Sequence, residues 1–307
     1  MDIFRYQAAE NQVYRNFIRA LKINPAGVDT IEAIPFLPID LFKTHTILCG
    51  SNTKPELVFT SSGTTGQIQS RHPVMDISLY EQSFRKGFEL FYGDIQQYAV
   101  LALLPSYLER EGSSLIYMVD NLVKDSNNPV SGYFLYNHQD LYTTITQLQD
   151  QQKKVVLIGV TYALLDLIET YQLNFPELIV METGGMKGKR KELIREELHQ
   201  LLKAGFGVEK IHSEYGMTEL LSQAYSLGDG IFNSPPWMKL KIRDTNDPFS
   251  YLENGRTGGI NVIDLANVHS CSFIATQDLG KMYEDGSFEV LGRFDNSDIR
   301  GCNLLIQ

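Results

Sequence analysis

Residues 60–66, Thr60-Ser61-Ser62-Gly63-Thr64-Thr65-Gly66, form an unbroken run of hydroxyl and glycine residues directly after the strand-like Glu56-Leu57-Val58-Phe59. Ser and Thr side chains compete with the backbone for hydrogen bonds and glycine leaves it unrestrained, so the run makes a poor strand and a poor helix. It is well made for wrapping an anion. Glycines at 63 and 66 let backbone N–H groups turn inward, and the hydroxyls add donors that follow phosphate oxygens. The Gly-Lys-Ser/Thr ending of a Walker-type loop is missing, and a plain surface turn is the competing reading. A second stretch, Tyr215-Gly216-Met217-Thr218-Glu219, follows Ile211-His212-Ser213-Glu214.

Together these stretches resemble the signature pair of the adenylate-forming enzymes, the superfamily of acyl-CoA synthetases, luciferases and peptide-synthetase adenylation domains. Four further stretches look like its acyl-protein synthetase branch, the family of the fatty-acid-activating component of bacterial luminescence systems, which is related to phenylacetate-CoA ligase. They are Leu103-Leu104-Pro105-Ser106-Tyr107-Leu108-Glu109-Arg110, Gly112-Ser113-Ser114-Leu115-Ile116-Tyr117, Thr183-Gly184-Gly185-Met186-Lys187-Gly188 and Ser297-Asp298-Ile299-Arg300-Gly301-Cys302-Asn303. The resemblance implies an ATP-dependent, AMP-forming ligase that converts a carboxylic acid, in this family a fatty acid, to an acyl-adenylate and passes the acyl group to a protein thiol. Two alternatives stay open: an acyl- or aryl-CoA ligase, and a non-catalytic nucleotide-binding or scaffolding module. No Gly-x-Ser-x-Gly elbow sits between a strand and a helix, which argues against a Ser-His-Asp hydrolase.

Activating a carboxylate with ATP requires phosphate positioning, neutralisation of the departing pyrophosphate, and in-line placement of the carboxylate on the α-phosphorus. The resemblance gives the first task to Thr60, Ser61, Ser62, Gly63, Thr64, Thr65 and Gly66, with Arg71 as the candidate cation for the outer phosphates. Glu219 suits Mg²⁺, which prefers one or two carboxylates plus phosphate oxygens. Thr218 would reach the α-phosphate, while Tyr215, Gly216 and Met217 lie on the adenine side with Gly184 and Gly185. Asp278 matches the residue that holds the ribose hydroxyls, and Arg293 the arginine that joins it; a structural ion pair is the alternative. Ser106, Tyr107, Ser113 and Ser114 fall where a strand ends and a helix begins, a place where an acyl substrate can sit. Ser113 as a helix N-cap and Tyr107 as a core aromatic explain them nearly as well. Cys302, beside Arg300, is the expected acyl carrier, because a thiolate is a strong nucleophile toward an acyl-adenylate. A small buried apolar residue is its competing role. In luminescent systems the thioester passes to a fatty-acid reductase, so an acyl-CoA-reductase-like acceptor protein is the implied partner.

The elements that must position these residues follow from periodicity. Residues 7–22, with Val13, Phe17, Ile18 and Leu21, read as an amphipathic helix ended by Pro25 and Gly27. Ile34 to Ile39 is extended, since each proline disfavours helix in the residue before it. A helix is expected from about Asp76 to Leu90, and one over 113–123. Tyr98 to Leu104, Lys154 to Val160 and Glu177 to Met181 read as buried strands, with helices over 161–171 and 188–203. The basic start of the last, Lys187 to Lys191, reads as a solvated face. Strand, helix, strand spacing implies parallel pairing in an α/β layered fold. From Trp237 onward the pattern turns β-rich, with Met238 to Ile242 alternating cleanly. The expected organisation is one adenylate-forming large domain over 1–307: a helical and extended segment to 50, an α/β nucleotide- and acyl-binding part over 51–235, a smaller β-rich part over 236–292, and from 293 a stub of the mobile C-terminal domain. That domain, about a hundred residues and lysine-bearing in full-length relatives, is expected to be largely absent; adenylation would then be slow, use Lys187 or Arg71 in place of its lysine, or depend on a partner protein closing the site.

Composition narrows the field. At 307 residues with 43% apolar content the chain can bury one large core or two modest ones. A formal charge of −10 argues against a nucleic-acid or anionic-membrane surface. Met1 to Tyr6 lack the start of a signal peptide and no run approaches the roughly 20 apolar residues of a spanning helix, so a cytoplasmic protein is expected. Cys49, Cys271 and Cys302 show neither a disulfide framework nor zinc-ligand spacing.

Overall fold

The computed structural model describes residues 1–50, 54–61, 68–105, 112–184 and 193–293. The chain divides into two compact units. The first comprises Met1–Tyr80, Thr218–Ser222 and Asn233–Gln307, and the second Glu81–Met217 and Gln223–Phe232.

The first unit opens with two helices where the sequence suggests one: α1 (Asp2–Glu10) and α2 (Gln12–Ala20). The break is Asn11. Its backbone is extended, its side-chain oxygen accepts the Tyr14 N–H at 3.0 Å to cap α2, and its amide donates to the Ser270 carbonyl at 3.0 Å. The apolar faces of both helices meet downstream residues: Phe4 packs edge-on to Tyr14 and Phe273, and Tyr14 stacks on Phe273 at 6.4 Å. The proline-restricted segment supplies β1 (Leu37–Pro38), which pairs in parallel with Ile274 and Ala275. After α3 (Leu41–Thr44) come β2 (Leu57–Thr60) and β3 (Arg71–Val74), an antiparallel hairpin. Helix α4 (Ile77–Tyr92) carries the chain into the second unit.

The second unit is the α/β layer expected from the sequence. Its elements are β4 (Tyr98–Leu103), α5 (Ser114–Asp125), β5 (Gly132–Tyr133), α6 (His138–Asp150), β6 (Lys154–Val160), α7 (Thr161–Thr170), β7 (Ile179–Thr183), α8 (Arg195–Phe206), β8 (His212–Tyr215), β9 (Ala224–Ser226) and β10 (Ile231–Asn233). The strands lie in the order β10-β9-β8-β7-β6-β4-β5. From β8 to β5 all pairs are parallel, and β9 returns antiparallel to β8. Continuous apolar strands are what a parallel sheet covered on both faces demands: every residue of β4 and all but the first of β6 are buried. Strand β7 starts two residues later than expected, because Phe175 to Leu178 form a turn with Pro176 at its second position, closed by Leu178 N–H to the Phe175 carbonyl at 3.0 Å. Helix α8 starts at Arg195 rather than 188, and residues 185–192 lie outside the described ones. It ends at Gly207, whose φ of +67° and whose approach to the Asn174 backbone leave no room for a Cβ.

The first unit then resumes with β11 (Met238–Arg243), β12 (Thr257–Asp264), β13 (Phe273–Met282) and β14 (Phe288–Arg293), an antiparallel run in sequence order. β1 takes the stretch of β13 beside Ile274 and Ala275, and β14 takes Asp278 to Met282. The alternation read at 238–242 is the burial pattern of β11. Among the described residues no helix is long and apolar enough to cross a membrane.

Leu157, fully buried in the middle of β6, tests this core. Truncation removes apolar contacts and leaves a cavity, so Leu157→Ala is expected to cost about 2–5 kcal/mol of unfolding free energy. Urea titration followed by circular dichroism measures it.

Candidate active site

In the first unit the hydroxyl and glycine run springs from a hairpin that sequence reading missed, because Arg71, His72 and Pro73 do not look like strand residues. Phe59 pairs with His72 and Thr60 with Arg71. Beyond them the Ser61 N–H donates to the Ser70 carbonyl at 3.1 Å and the Ser70 N–H to Ser61 Oγ at 2.9 Å, closing the stem. Thr60 and Ser61 are thus placed at its mouth. Ser62, Gly63, Thr64, Thr65 and Gly66 lie outside the described residues. Arg71 is exposed, while its neighbour His72 is fully buried.

His72 reaches the second signature stretch. Its Nδ1 lies 2.8 Å from the Thr218 carbonyl and its Nε2 3.0 Å from Asn267 Oδ1. A carbonyl only accepts, so Nδ1 carries the proton and donates. Burial pushes the His72 imidazolium down to about 4 against the pull of the Thr218 and Asn267 oxygens, so the neutral ring donates from Nδ1 alone and Nε2 only lies beside the Asn267 amide oxygen. Asn267 Nδ2 in turn donates to the Glu219 carbonyl at 2.7 Å. Asp264, at the end of β12, accepts from Leu221 N at 2.7 Å, Ser222 Oγ at 2.6 Å and Ala266 N at 3.1 Å. The main chain from Thr218 to Ser222 is therefore held at three points by buried polar side chains.

The Glu219 carboxyl is 6% exposed. Burial raises its pKa, the Ser70 hydroxyl and a backbone N–H pull it back, and Arg293 attracts where Asp278 repels. Asp278 and Arg293 face each other across β13 and β14, with Arg293 Nε donating to Asp278 Oδ1 at 3.1 Å. Asp278 is buried and Arg293 mostly exposed. Among the described residues no group of three His, Cys, Asp or Glu side chains forms a metal cage. Mg²⁺ needs none, since one or two carboxylates beside substrate phosphates suffice. Glu219, a desolvated carboxyl with Asp278 and Arg293 beside it, fits that donor set.

In the second unit the strand ends gather Thr183, Gly184, Glu214, Tyr215 and Gly216. Thr183 is paired with Glu214, and its hydroxyl donates to Glu214 Oε2 at 2.6 Å. Burial, reinforced by repulsion from Glu182, pushes Glu214 up to about 7 against that hydrogen bond. The side chain retains some exposure. A Cβ on Gly216 would fall 2.4 Å from Glu214 Oε1, so position 216 excludes a side chain while Glu214 stays in place. Thr161 Oγ1 donates to the Gly184 carbonyl at 2.6 Å and fixes that turn from below. Glu182 is kept below the usual carboxylate range: burial raises it, but His199, Arg195 and Ser213 outweigh burial. Tyr215 is buried edge-on against Phe232, and Met217 and Thr218 are partly exposed.

Of the expected acyl-site residues, Ser113 is the N-cap of α5, accepting Ile116 N–H at 3.3 Å, and Ser114 is buried in its first turn. Ser106, Tyr107, Gly185 and Cys302 lie outside the described residues. Glu214, His72, Asn267 and Asp264 were not candidates from sequence. A signal was available only for Glu214, as the carboxyl directly before the second signature stretch.

The fold is that of the adenylate-forming ligases. The ATP-bound structure of MatB from Rhodopseudomonas palustris matches with TM-score 0.58 at 19% identity, over 80% of this chain and 50% of that one. A 2-hydroxyisobutyryl-CoA ligase in the postadenylation state matches with TM-score 0.68 at 12% identity, over 96% of this chain and 66% of that one. The chain thus spans about half the length of MatB. Within this class the chain is similar to the acyl-protein synthetases. Residues 1–83 match the family model "Acyl-protein synthetase, LuxE". The long-chain-fatty-acid–luciferin-component ligases of Vibrio harveyi and Aliivibrio fischeri are 24% and 22% identical over 98% and 99% of this chain, and 84% and 85% of theirs.

The raised Glu214 carboxyl makes a signed prediction. The folded chain holds its proton more tightly than the unfolded chain, so the stability this contributes is fully present below about 4.5 and lost as pH rises through about 7. His72 and His212, both pushed down to about 4, act oppositely, losing their contribution as pH falls from 6.5. Glu214→Gln leaves the histidines unchanged. The Tm difference, wild type minus variant, is therefore expected to fall between pH 5 and pH 8, and calorimetry across that range checks it.

Proposed function

We propose that this chain uses ATP to activate a carboxylic acid, in particular a fatty acid, and transfers the acyl group to a protein thiol. The observation that carries the reading is the cluster of Glu219, Asp278 and Arg293 coupled through the Ser70 hydroxyl to the stem of the hydroxyl and glycine loop. Phosphate donors and a desolvated carboxylate beside a guanidinium are what transfer at an α-phosphorus calls for, since protein groups there chiefly position and neutralise. A carboxylate oxygen of the acid attacks the α-phosphorus, its new P–O bond replacing the one to pyrophosphate. A thiolate sulfur then attacks the acyl carbon and AMP leaves.

In this reading the loop from Thr60 to Gly66 and Arg71 hold the outer phosphates, Thr218 the α-phosphate, and Asp278 with Arg293 the ribose. Glu219 would hold Mg²⁺, whose charge offsets that developing on pyrophosphate. Gly184, Gly185, Tyr215, Gly216 and Met217 are assigned to the nucleotide as well. Ser106, Tyr107, Ser113 and Ser114 are assigned to the acyl chain and Cys302 to its capture as a thioester, before delivery to a reductase-like acceptor protein. The relatives' names, which specify a long-chain fatty acid and a ligase, support the choice of acid and reaction type.

Incubation with ATP, Mg²⁺ and a panel of carboxylic acids, with and without CoA, tests it by pyrophosphate release and intact-protein mass spectrometry. Acid-dependent pyrophosphate release and a hydroxylamine-labile adduct of one acyl chain are expected. AMP release only with CoA present would make CoA the acceptor. Glu219→Gln is expected to slow pyrophosphate release by about 100-fold or more, the scale of losing one preorganised electrostatic partner. Cys302→Ser is expected to retain pyrophosphate release and lose the adduct; an adduct at wild-type level would remove Cys302 from the mechanism.

A further inference from the structure

We infer that His72 is a positioning residue for adenylation, fixing the loop stem and the Thr218–Glu219 step to one another. The inference rests on the adenylation reading above. Ser70 and His72 flank Arg71 at the start of β3, and both turn away from the exposed side that Arg71 occupies. The Ser70 hydroxyl meets the Glu219 carboxylate, and the His72 ring meets the Thr218 carbonyl one residue earlier. Two adjacent residues of the second signature stretch, Thr218 at its carbonyl and Glu219 at its carboxylate, are thereby tied to two alternate positions flanking Arg71.

The ring does this as a rigid spacer in a dry place. Phe42 packs against it edge-on at 5.6 Å, and its two nitrogens address Thr218 and Asn267 from opposite edges. Asn267 is itself anchored, its carbonyl accepting from Gln7 Nε2 at 3.0 Å, and its amide continues the chain of contacts to the Glu219 carbonyl. The order Thr218, His72, Asn267, Glu219 closes a loop around one peptide step. Shifting that step moves the Glu219 carboxylate relative to the loop stem, and displacement of a reacting group by about 1 Å can cost 10²-fold in rate.

Side-chain geometry separates the two roles. An asparagine amide nitrogen mimics Nδ1 and can still donate to Thr218, a glutamine amide mimics Nε2 and cannot, and phenylalanine keeps the ring volume without the Nδ1 donor. Positioning predicts the activity order wild type, then His72→Asn, then His72→Gln and His72→Phe, with the last two reduced about 10–100-fold in kcat for acid-dependent pyrophosphate release and less than threefold in KM for ATP. Packing predicts His72→Phe at least as active as His72→Asn, which would overturn the inference. A wild type that releases no pyrophosphate with any acid overturns the adenylation reading and this inference with it; release that is equal in all four proteins overturns the inference alone. The resting wild-type protein supplies a readout free of both activity and variant folding. Nitrogen-15 NMR of labelled histidine is expected to show one ring N–H of His72, at Nδ1, protected from solvent exchange and shifted on adding ATP; a freely exchanging ring, or one indifferent to ATP, contradicts the positioning role.

Discussion

A carboxylate withdrawn from water must find donors, find a cation or take up a proton, because its lost hydration is worth several kcal/mol. Four carboxylates in this chain meet that constraint in three ways. Asp264 is satisfied by donors, two side-chain or main-chain groups of the Leu221–Ser222 step and the Ala266 N–H, and so becomes a structural bracket. Glu182 is satisfied by charge and donors together, with Arg195, His199 and Ser213 around it. Glu214 has one hydroxyl and a repelling neighbour, and tends toward the protonated form near neutrality. Glu219 sits between these cases, with a hydroxyl, a mostly exposed arginine and the repulsion of Asp278. The carboxyl groups with the fewest donors bracket the second signature stretch, Glu214 directly before it and Glu219 at its end.

The sheets explain why the brackets can be so short. In the second unit the parallel strands end together, so Thr161, Thr183, Glu214 and Gly184 come within hydrogen-bond reach without any long side chain. The first unit uses turns: the stem closed by Ser61 and Ser70, and the turn from Asp264 to Asn267 that presents two polar side chains to one segment. Each group is held by neighbours that are themselves buried and paired, which keeps positional freedom small.

Much of the fold is legible in the sequence, because local pattern determines it. The apolar runs at 98–104 and 154–160 are the central strands, and the alternation at 238–242 is an edge of the antiparallel sheet. What escapes local reading is set by distant partners. Asn11 looks like a polar residue within a helix until its amide is seen on Ser270. The β3 strand carries a charge, a histidine and a proline, and is a strand only because β2 pairs with it and Thr218 receives His72. The signature residues announce themselves by type and spacing. The residues that hold them, His72, Asn267 and Asp264, have unremarkable neighbours in sequence and act across 42 to 195 positions.

The division of β13 between two partners has a consequence for synthesis. One unit is assembled from both halves of the chain with the other unit spelled out between them, so β1 at Leu37 waits for its partner at Ile274, and Gln7 waits for acceptors 260 residues on. At about 5–20 residues per second of translation, that interval is roughly 10–50 s. During it the apolar faces of α1 and α2 have no Phe273 to cover them, whereas the second unit, almost continuous in sequence, can close as it emerges. The order of birth is therefore the reverse of the order of residues: the middle of this chain is finished before its beginning.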